Sequence, residues 1–192
     1  MIAALTSRCR AFLAHDVLRF ATLVAAAAFL IDWTTKSWAL ERVEHAAIPL
    51  GALMLGVERN DAFAFSIGDG TFAPGLILVL RLLAVAGVLL LSRQVGARSR
   101  RFAAGFALLA AGGFGNAADL MLRGAVVDFI HAGPFHWAGE PVHAGFVFNA
   151  ADIAILLALG LLAPLIQEWA VGGQRRLTRW EARWLRSGRD TE

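Results

Sequence analysis

The chain has 192 residues, of which 58% are hydrophobic and 17% charged, and its mean hydropathy is +0.60. Because an ordinary soluble domain carries roughly 25% charged residues, this composition excludes a water-soluble globular protein and predicts an integral membrane protein. The formal net charge of +3 arises from arginines that flank apolar stretches. That distribution is typical of membrane topology and of contact with anionic lipid, and it predicts no nucleic-acid partner.

Four apolar stretches are long enough, or nearly so, to cross about 30 Å of hydrocarbon as α-helices. They lie at about 20–40, 74–91, 102–122 and 146–166. The predicted fold is an all-α integral membrane protein with four transmembrane helices, forming one membrane domain over 1–192 in which 167–192 is a basic cytoplasmic tail. Arg8, Arg10 and Arg19 precede the first stretch as they would a signal sequence. No small-residue cleavage site follows, so we expect this stretch to be retained as an anchor.

The arginines of the chain alternate with acidic loops. They cluster before the first span, between the second and third spans, and after the fourth, whereas the loop after the first span is mostly acidic. By the positive-inside rule, both termini and the connection between the second and third spans are cytoplasmic. The other span ends then lie at the outer face of the membrane.

Polar residues within or beside the spans lie at this predicted outer face. They are Asp32 and Lys36 at the end of the first span, Asn60 in the first outer loop, Asn116 and Asp119 in the third span, Asp128 after it, and Asn149 and Asp152 at the start of the fourth. Polar residues placed for unrelated structural reasons would be expected at both faces. A carboxylate in apolar surroundings at a membrane marks a functional site by default, so the clustering predicts a single site.

Asp128 and Asp152 are candidates for an acid and base pair. Gly124 suits the C-terminus of the third span and 125–130 is predicted as a short extended segment, so Asp128 would lie just past one helix and Asp152 in the first turns of the next. Two facing carboxylates at low dielectric do not both ionise cheaply, so one keeps a proton while the other activates a water for attack on a peptide bond. The alternative is that each aspartate caps a helix or satisfies a backbone amide.

At these residues the chain resembles the lipoprotein signal peptidases (signal peptidase II), which are four-span bacterial aspartyl peptidases. The similar blocks, in chain order, are Asp32 to Lys36 (family pattern D-x-x-T-K), Asn60 to Ser66 (N-x-G-A-A-F-S), Gly112 to Asp119 (G-G-x-x-G-N-x-x-D), Gly124 to Phe129 (G-x-V-V-D-F) and Phe148 to Asp152 (F-N-x-A-D). Each block alone is a weak signal. Together, in family order and on the predicted outer face, they are a strong one.

The resemblance implies that Asp128 and Asp152 are the catalytic dyad and that Asn60, Asn116 and Asn149 line the site. We expect Asp32, Lys36 and Asp119 to support it. The implied activity is endopeptidase cleavage of diacylglyceryl-modified prolipoproteins just before the lipidated cysteine, without metal or cofactor. The implied location is the bacterial cytoplasmic (inner) membrane, with the active site at the outer face. We expect lipid-modified prolipoprotein and membrane lipid as partners, and a monomer.

The resemblance also implies a small β-rich extracytoplasmic cradle, which the mixed apolar and polar pattern of Pro49 to Ile67 in the first outer loop would suit. Within that loop, Ala62-Phe63 departs from the Gly-Ala pair of the family pattern. We expect Phe63 to narrow the entrance to the site. An altered-specificity or non-catalytic membrane paralogue that binds lipidated peptides is the alternative function.

A second departure concerns charge in the spans. Leu120 stands where the family has an arginine directly after the Asp119 position. Arg81 lies within the second span, where a buried arginine costs a few kcal/mol unless it is paired or reaches the headgroups. We expect Arg81 to face the bundle and partly replace the missing cation, with Asp119 as its partner. The alternative is that Arg81 reaches outward to the lipid headgroups.

Two further segments carry weaker signals. The second outer loop contains His131, His136, Glu140 and His143. Histidines with a carboxylate can bind zinc, but their spacing matches no compact helical ligand motif, so a polar lid near the site is the preferred interpretation. The tail at 167–192 has an apolar stripe among arginines, which predicts an interfacial helix on the cytoplasmic leaflet. A solvated, partly disordered tail is the alternative.

Overall fold

The computed structural model describes residues 2–45, 47–60, 74–95, 99–133, 135–137, 140–142 and 146–187. The helices are α1 (Ile2–Arg42), α2 (Pro74–Val95), α3 (Arg100–Arg123) and α4 (Ala150–Ser187). The strands are β1 (Ile48–Leu50), β2 (Leu53–Asn60), β3 (Val126–Ala132), β4 (Phe135–Trp137), β5 (Glu140–Val142) and β6 (Phe146–Phe148).

Within these residues, four helical segments are long and apolar enough to cross a membrane. They are His15–Arg42, Gly75–Ser92, Arg100–Arg123 and Ala150–Gly172. The four predicted spans are therefore confirmed by length and composition. The fourth starts later than predicted, because Phe146–Phe148 form strand β6. Phe and Val favour strands, and Asn149 provides the cap from which α4 begins.

Helix α3 lies at the centre of the bundle, packed against α1, α2 and α4. In α3, 67% of the span is buried, against 6% in α1 and α2 and 28% in α4. The other three helices therefore bury a smaller share of their residues within the protein and leave many apolar side chains exposed, as expected for helices surrounded by lipid. Most buried residues of α3 are Ala and Gly, and small residues allow helices to approach closely.

Two glycines of α3 mark the closest approaches. A Cβ atom on Gly112 would lie 2.6 Å from the carbonyl oxygen of Ala151 in α4. A Cβ atom on Gly115 would lie 2.5 Å from the carboxylate of Asp32 in α1. Both distances are too short for a real Cβ atom, so side chains at these positions would push the neighbouring helices away from α3.

Gly115→Ala is therefore expected to lower the melting temperature. The added methyl group would displace the buried Asp32 carboxylate, and overpacking of this kind costs about 1–3 kcal/mol. Gly87→Ala in α2 is the matched control, because nothing lies within 4 Å of a Cβ atom there. Thermal unfolding of both variants in the same detergent is the measurement. Equal melting temperatures would contradict this close packing.

The strands form a small sheet against the end of α1. It is antiparallel with the order β1-β2-β3-β6, while β4 and β5 form a separate hairpin. Phe129 in β3 packs with Ala39 and Val43 at the end of α1, which fixes the sheet on the bundle. Gly124, with a φ of +78°, ends α3 in the left-handed conformation and lets the chain turn directly into β3. The predicted helix end and extended segment are both confirmed.

Helix α4 continues to Ser187, well beyond its membrane-spanning part. The backbone of the predicted tail is thus helical through that residue, without a break from the span. Residues 188–192 lie outside the described part of the chain. The predicted position of the tail on the cytoplasmic leaflet stays a prediction.

Candidate active site

The structure brings the predicted polar residues together where the sheet meets the bundle. Asn60 is the last residue of β2, Asp128 lies in β3, and Asn149 directly precedes α4. Asn60 and Asp128 line a pocket of about 30 Å³, which is enough space for one or two water molecules. The residues that line the pocket are Asn60, Arg81, Asn116, Val126, Asp128, Val147, Phe148 and Asp152.

Asp128 is buried, with 4% of its surface exposed. Asn149 Nδ2 donates to its Oδ1 at 2.6 Å, and Asn60 Nδ2 donates to its Oδ2 at 3.2 Å. Burial raises the pKa of the Asp128 carboxyl from 3.8 to about 6; the charge of Asp152 raises it as well, and the two amide hydrogen bonds oppose the rise. Asp128 therefore holds a proton to a higher pH than an ordinary aspartate.

This raised pKa predicts how Asp128→Asn changes stability with pH. A carboxyl whose pKa is higher in the folded state makes folding less favourable as pH rises from 3.8 to about 6. The neutral asparagine has no such penalty. We therefore compare the free energy of unfolding of the variant with that of wild type at each pH. The difference, variant minus wild type, should be about 1 kcal/mol larger at pH 8 than at pH 5. Thermal unfolding at the two pH values measures it, and an unchanged difference would contradict the raised pKa.

Asp152 lies in the first turn of α4. Its Oδ2 accepts from the backbone N of Asn149 at 3.1 Å, while Asn149 Oδ1 accepts from the backbone N of Asp152 at 3.1 Å. This reciprocal arrangement is a capping box, so the helix-capping alternative is correct for one oxygen of Asp152. The other oxygen accepts from Asn116 Nδ2 at 3.0 Å. The Asp152 carboxylate thus both caps the N-terminus of α4 and lines the pocket.

Asn116 and Asn149 connect the two aspartates. Asn149 Nδ2 donates to Asp128 Oδ1 at 2.6 Å and to Asn116 Oδ1 at 3.1 Å. Asn116 donates to Asp152 and accepts from Lys36 Nζ at 2.9 Å. The amide oxygen and the amide nitrogen of each asparagine therefore both have partners. These uncharged groups fix the two carboxylates relative to each other.

Lys36 is fully buried and anchors the network from α1. Its Nζ lies 2.8 Å from Asp32 Oδ2, 2.9 Å from Asp119 Oδ2 and 2.9 Å from Asn116 Oδ1. An ammonium group has three N–H donors, and these acceptors account for all of them. Asp32 Oδ1 also accepts from the backbone N of Ala151 at 2.8 Å. The predicted pair of Asp32 and Lys36 is present and ties α1 to α3 and α4.

Arg123 supplies a cation close to the Leu120 position. It ends α3 and forms an ion pair with Asp119 Oδ1. Its Nη2 donates to Ser37 Oγ at 2.9 Å, and its guanidinium carbon lies 4.2 Å from the centre of the Trp33 ring. Asp119 thus has Lys36 and Arg123 as its cations, which corrects the predicted replacement by Arg81. Asp119 and Arg123 are four residues apart and share a helix face, a signal that the sequence analysis missed.

Arg81 faces the bundle, as predicted. Its Nη1 donates to the carbonyl oxygen of Asn116 at 3.2 Å, and its side chain lines the pocket. It also lines a groove of about 370 Å³ between α2, α3 and α4. The groove and the pocket share Arg81, Asn116 and Asp152. The other residues that line the groove are Ala84, Val85, Val88, Leu109, Gly113 and Ile155.

The structure describes only part of the second outer loop, in which His131, His136, Glu140 and His143 lie. His131 Nε2 lies 2.9 Å from the carbonyl oxygen of Gly56, a contact within the sheet. His136 and Glu140 lie on the hairpin of β4 and β5, whereas His143 and the Ala62-Phe63 pair lie outside the described residues. In the part of the chain that was searched, no group of three or more His, Cys, Asp or Glu residues is arranged to hold a metal. The polar lid and the narrowed entrance stay predictions.

Comparison with known proteins decides the family. The family model described as Signal peptidase (SPase) II matches residues 24–167, which include all the site residues from Asp32 to Asp152. The chain belongs to the signal peptidase II family. The resemblance found in the sequence blocks is thereby confirmed.

Relatives of this signal peptidase II chain include lipoprotein signal peptidases from two organisms. The protein from Rhodopseudomonas palustris is 31% identical over 153 residues, which cover 76% of this chain and 90% of that protein. The protein from Azoarcus sp. is 35% identical over 150 residues, which cover 73% of this chain and 78% of that protein. The similarity therefore extends over most of both chains.

Two solved structures of bacterial membrane enzymes share the fold. The first has a TM-score of 0.63 at 21% identity and covers 78% of this chain and 88% of its own. The second has a TM-score of 0.62 at 20% identity and covers 76% of this chain and 91% of its own. At this low identity the likeness concerns the fold alone, and it agrees with a chain embedded in a membrane.

Proposed function

We propose that the chain removes signal peptides from diacylglyceryl-modified prolipoproteins by hydrolysing the peptide bond before the lipidated cysteine. The observation that carries this proposal is the arrangement of Asp128 and Asp152. One comes from a strand and the other from a helix start, and both line a pocket with room for one or two water molecules. Membership of the signal peptidase II family supports the same reaction.

In the proposed reaction, Asp128 and Asp152 share one proton. Asp128 holds it, in keeping with its burial, and Asp152 is the base. Asp152 takes a proton from the water as the water oxygen attacks the scissile carbonyl carbon, and Asp128 donates its proton to the carbonyl oxygen. The tetrahedral intermediate then collapses: one of its hydroxyl groups returns a proton to Asp128, its C–N bond breaks, and the departing amine of the lipidated cysteine receives a proton from Asp152. Because the two groups titrate as a unit, pH changes act on the pair.

The three asparagines give this pair its geometry. Asn60 and Asn149 donate to Asp128, and Asn116 donates to Asp152. Fixed amide dipoles orient a carboxylate without bringing a further charge into the site, which is the preorganisation that favours a charged transition state. Asp32, Lys36 and Asp119 act one layer farther out, by fixing Asn116 and the start of α4.

The groove between α2, α3 and α4 suits the apolar part of such a substrate. Its walls are mostly aliphatic, and it shares Asp152 with the pocket. A hydrophobic signal-peptide side chain or an acyl chain in this groove would bring the adjoining peptide bond to the dyad. Remote apolar binding of this kind positions the reacting atoms.

The site lies at the outer face of the bacterial cytoplasmic membrane in this proposal, with both termini cytoplasmic. Arg100 and Arg101 begin α3, whereas Asp119 lies near its other end. These positions are separated by about 28 Å along the helix, close to the thickness of a bilayer core. The positive-inside rule assigns the arginine end to the cytoplasm. Every described residue of the dyad network comes from one chain, which supports an enzyme that works as a monomer.

The test is incubation of the purified chain with a diacylglyceryl-modified prolipoprotein and, in parallel, with the same precursor lacking the lipid. We expect cleavage of the lipidated precursor and little or none of the unlipidated one. Binding of the lipidated precursor without cleavage would favour a non-catalytic paralogue. Equal cleavage of both precursors would show that the lipid is not recognised.

A further inference from the structure

Arg81 lies inside the apolar part of α2 and is turned toward the site. Its neighbours Leu80 and Leu82 are exposed on the outside of the bundle, at 42% and 37%. Ile77, one turn earlier, is buried, and Val85, one turn later, lines the groove. Arg81 thus belongs to the inward face of α2. An arginine at this depth costs a few kcal/mol unless it meets polar or charged groups.

Arg81 lies beside the dyad, in the lining of the same pocket. Arg81 Nη1 donates to the carbonyl oxygen of Asn116, the residue whose side chain binds Asp152. Arg81 also lines the pocket together with Asp128 and Asp152. The carboxylates that act on its charge are, from strongest to weakest, Asp152, Asp128 and Asp119. Of these three carboxylates, Asp152 acts most strongly on the charge of Arg81.

Charge balance within the network points the same way. The inner cluster contains the cations Lys36 and Arg123 and the carboxylates Asp32 and Asp119, so it is neutral by itself. The dyad, on the other side of Asn116, carries one negative charge when it holds a single proton. Among the residues that line the pocket, Arg81 brings a positive charge to set against that single negative charge.

We propose that Arg81 is a positioning residue whose guanidinium is the counter-charge of ionised Asp152 and maintains the singly protonated dyad. The inference rests on the proposed function and assigns a role to a residue outside its chemistry. Lys36 and Asp32 from α1, Asp119 from α3 and Asp128 from β3 also face this region. All of these residues are retained in an Arg81 variant, so a change in pH dependence reports Arg81.

The experiment compares pH profiles of cleavage of a lipidated precursor. Arg81→Met and Arg81→Gln remove the charge, and Arg81→Lys keeps it. Leu83→Met is the matched control, because Leu83 lies on the same helix and is 62% exposed. Without the cation the base ionises less readily. The pH at which the rate falls on the acidic side of the profile (the acidic limb) should therefore rise by about one pH unit or more. The rate at alkaline pH should approach that of wild type, and Arg81→Lys and Leu83→Met should keep the wild-type limb.

An unmoved acidic limb in a folded neutral variant would overturn the inference, as would equal shifts in Arg81→Met and Arg81→Lys. Melting temperatures measured in parallel identify the folded variants. If Arg81→Met is unstable, Arg81→Gln carries the test. A wild-type chain that does not cut the lipidated precursor, or an active Asp152→Asn variant, would instead end the proposed function itself. The two failures are therefore distinguishable.

Discussion

Asp128→Asn and Asp152→Asn are each expected to remove nearly all cleavage of a lipidated precursor while the protein stays folded. Asparagine has nearly the same shape as aspartate and retains an oxygen that accepts hydrogen bonds, so the amides of Asn116 and Asn149 keep a partner. It cannot take up or give the proton. General acid and base groups typically contribute about 10²- to 10⁴-fold each to a rate.

The double variant should be scarcely slower than either single variant, because groups that act as a unit are strongly non-additive. Asp16→Asn is the matched control. Asp16 lies about 24 Å before Asp32 along α1, toward the other end of the bundle, so its removal should leave the rate unchanged. Cleavage rates are measured with purified variants whose melting temperatures are known. A multiplied loss in the double variant would show that the two aspartates act independently.

Lys36→Met is expected to produce the largest loss of stability. Removing the ammonium leaves Asp32 and Asp119 buried without their shared cation, and Arg123 remains for only one of them. Breaking a buried ion pair by removing one partner typically costs about 3–5 kcal/mol. Lower yield of inserted protein and a strongly reduced melting temperature are the expected observations.

Asp32→Asn should weaken folding in the same direction but less, because asparagine still accepts from the backbone N of Ala151. Glu44→Gln is the matched control for removal of one charge from an ion pair. Glu44 pairs with Arg59 at 2.8 Å, but both side chains are partly exposed to water, where ion pairs contribute little. If Lys36→Met and Glu44→Gln melt at the same temperature, the buried cluster does not hold the helices together.

The sequence was sufficient for the parts of the fold that depend on composition and local spacing. Hydropathy located four spans, because a bilayer demands long apolar helices whatever their packing. The pairing of Asn149 with Asp152 and of Asp32 with Lys36 follows from helical geometry and is present in the structure. The convergence of Asp128 and Asp152 on one pocket was also expected, because both lie at the same predicted face.

Two features that sequence analysis missed, strand β6 and the groove beside Arg81, depend on tertiary contacts, whereas a third, the pair of Asp119 and Arg123, lies within one helix. Phe146–Phe148 pair with β3, and hydropathy does not distinguish such a strand from the start of a span. Arg81 was predicted as the partner of Asp119 because an arginine within a span is conspicuous. The actual partner at that end of the helix, Arg123, lies one turn away from Asp119 on α3. The groove beside Arg81 appears only when α2, α3 and α4 are packed together.

The most direct test of the account is the mass of the product released from a diacylglyceryl-modified prolipoprotein. Wild type should yield one product whose new N-terminus is the lipidated cysteine, together with the intact signal peptide. Folded Asp128→Asn and Asp152→Asn should yield neither species. The same product from either variant at near the wild-type rate would contradict the assignment of the dyad, and a cut elsewhere in the precursor would contradict the proposed substrate.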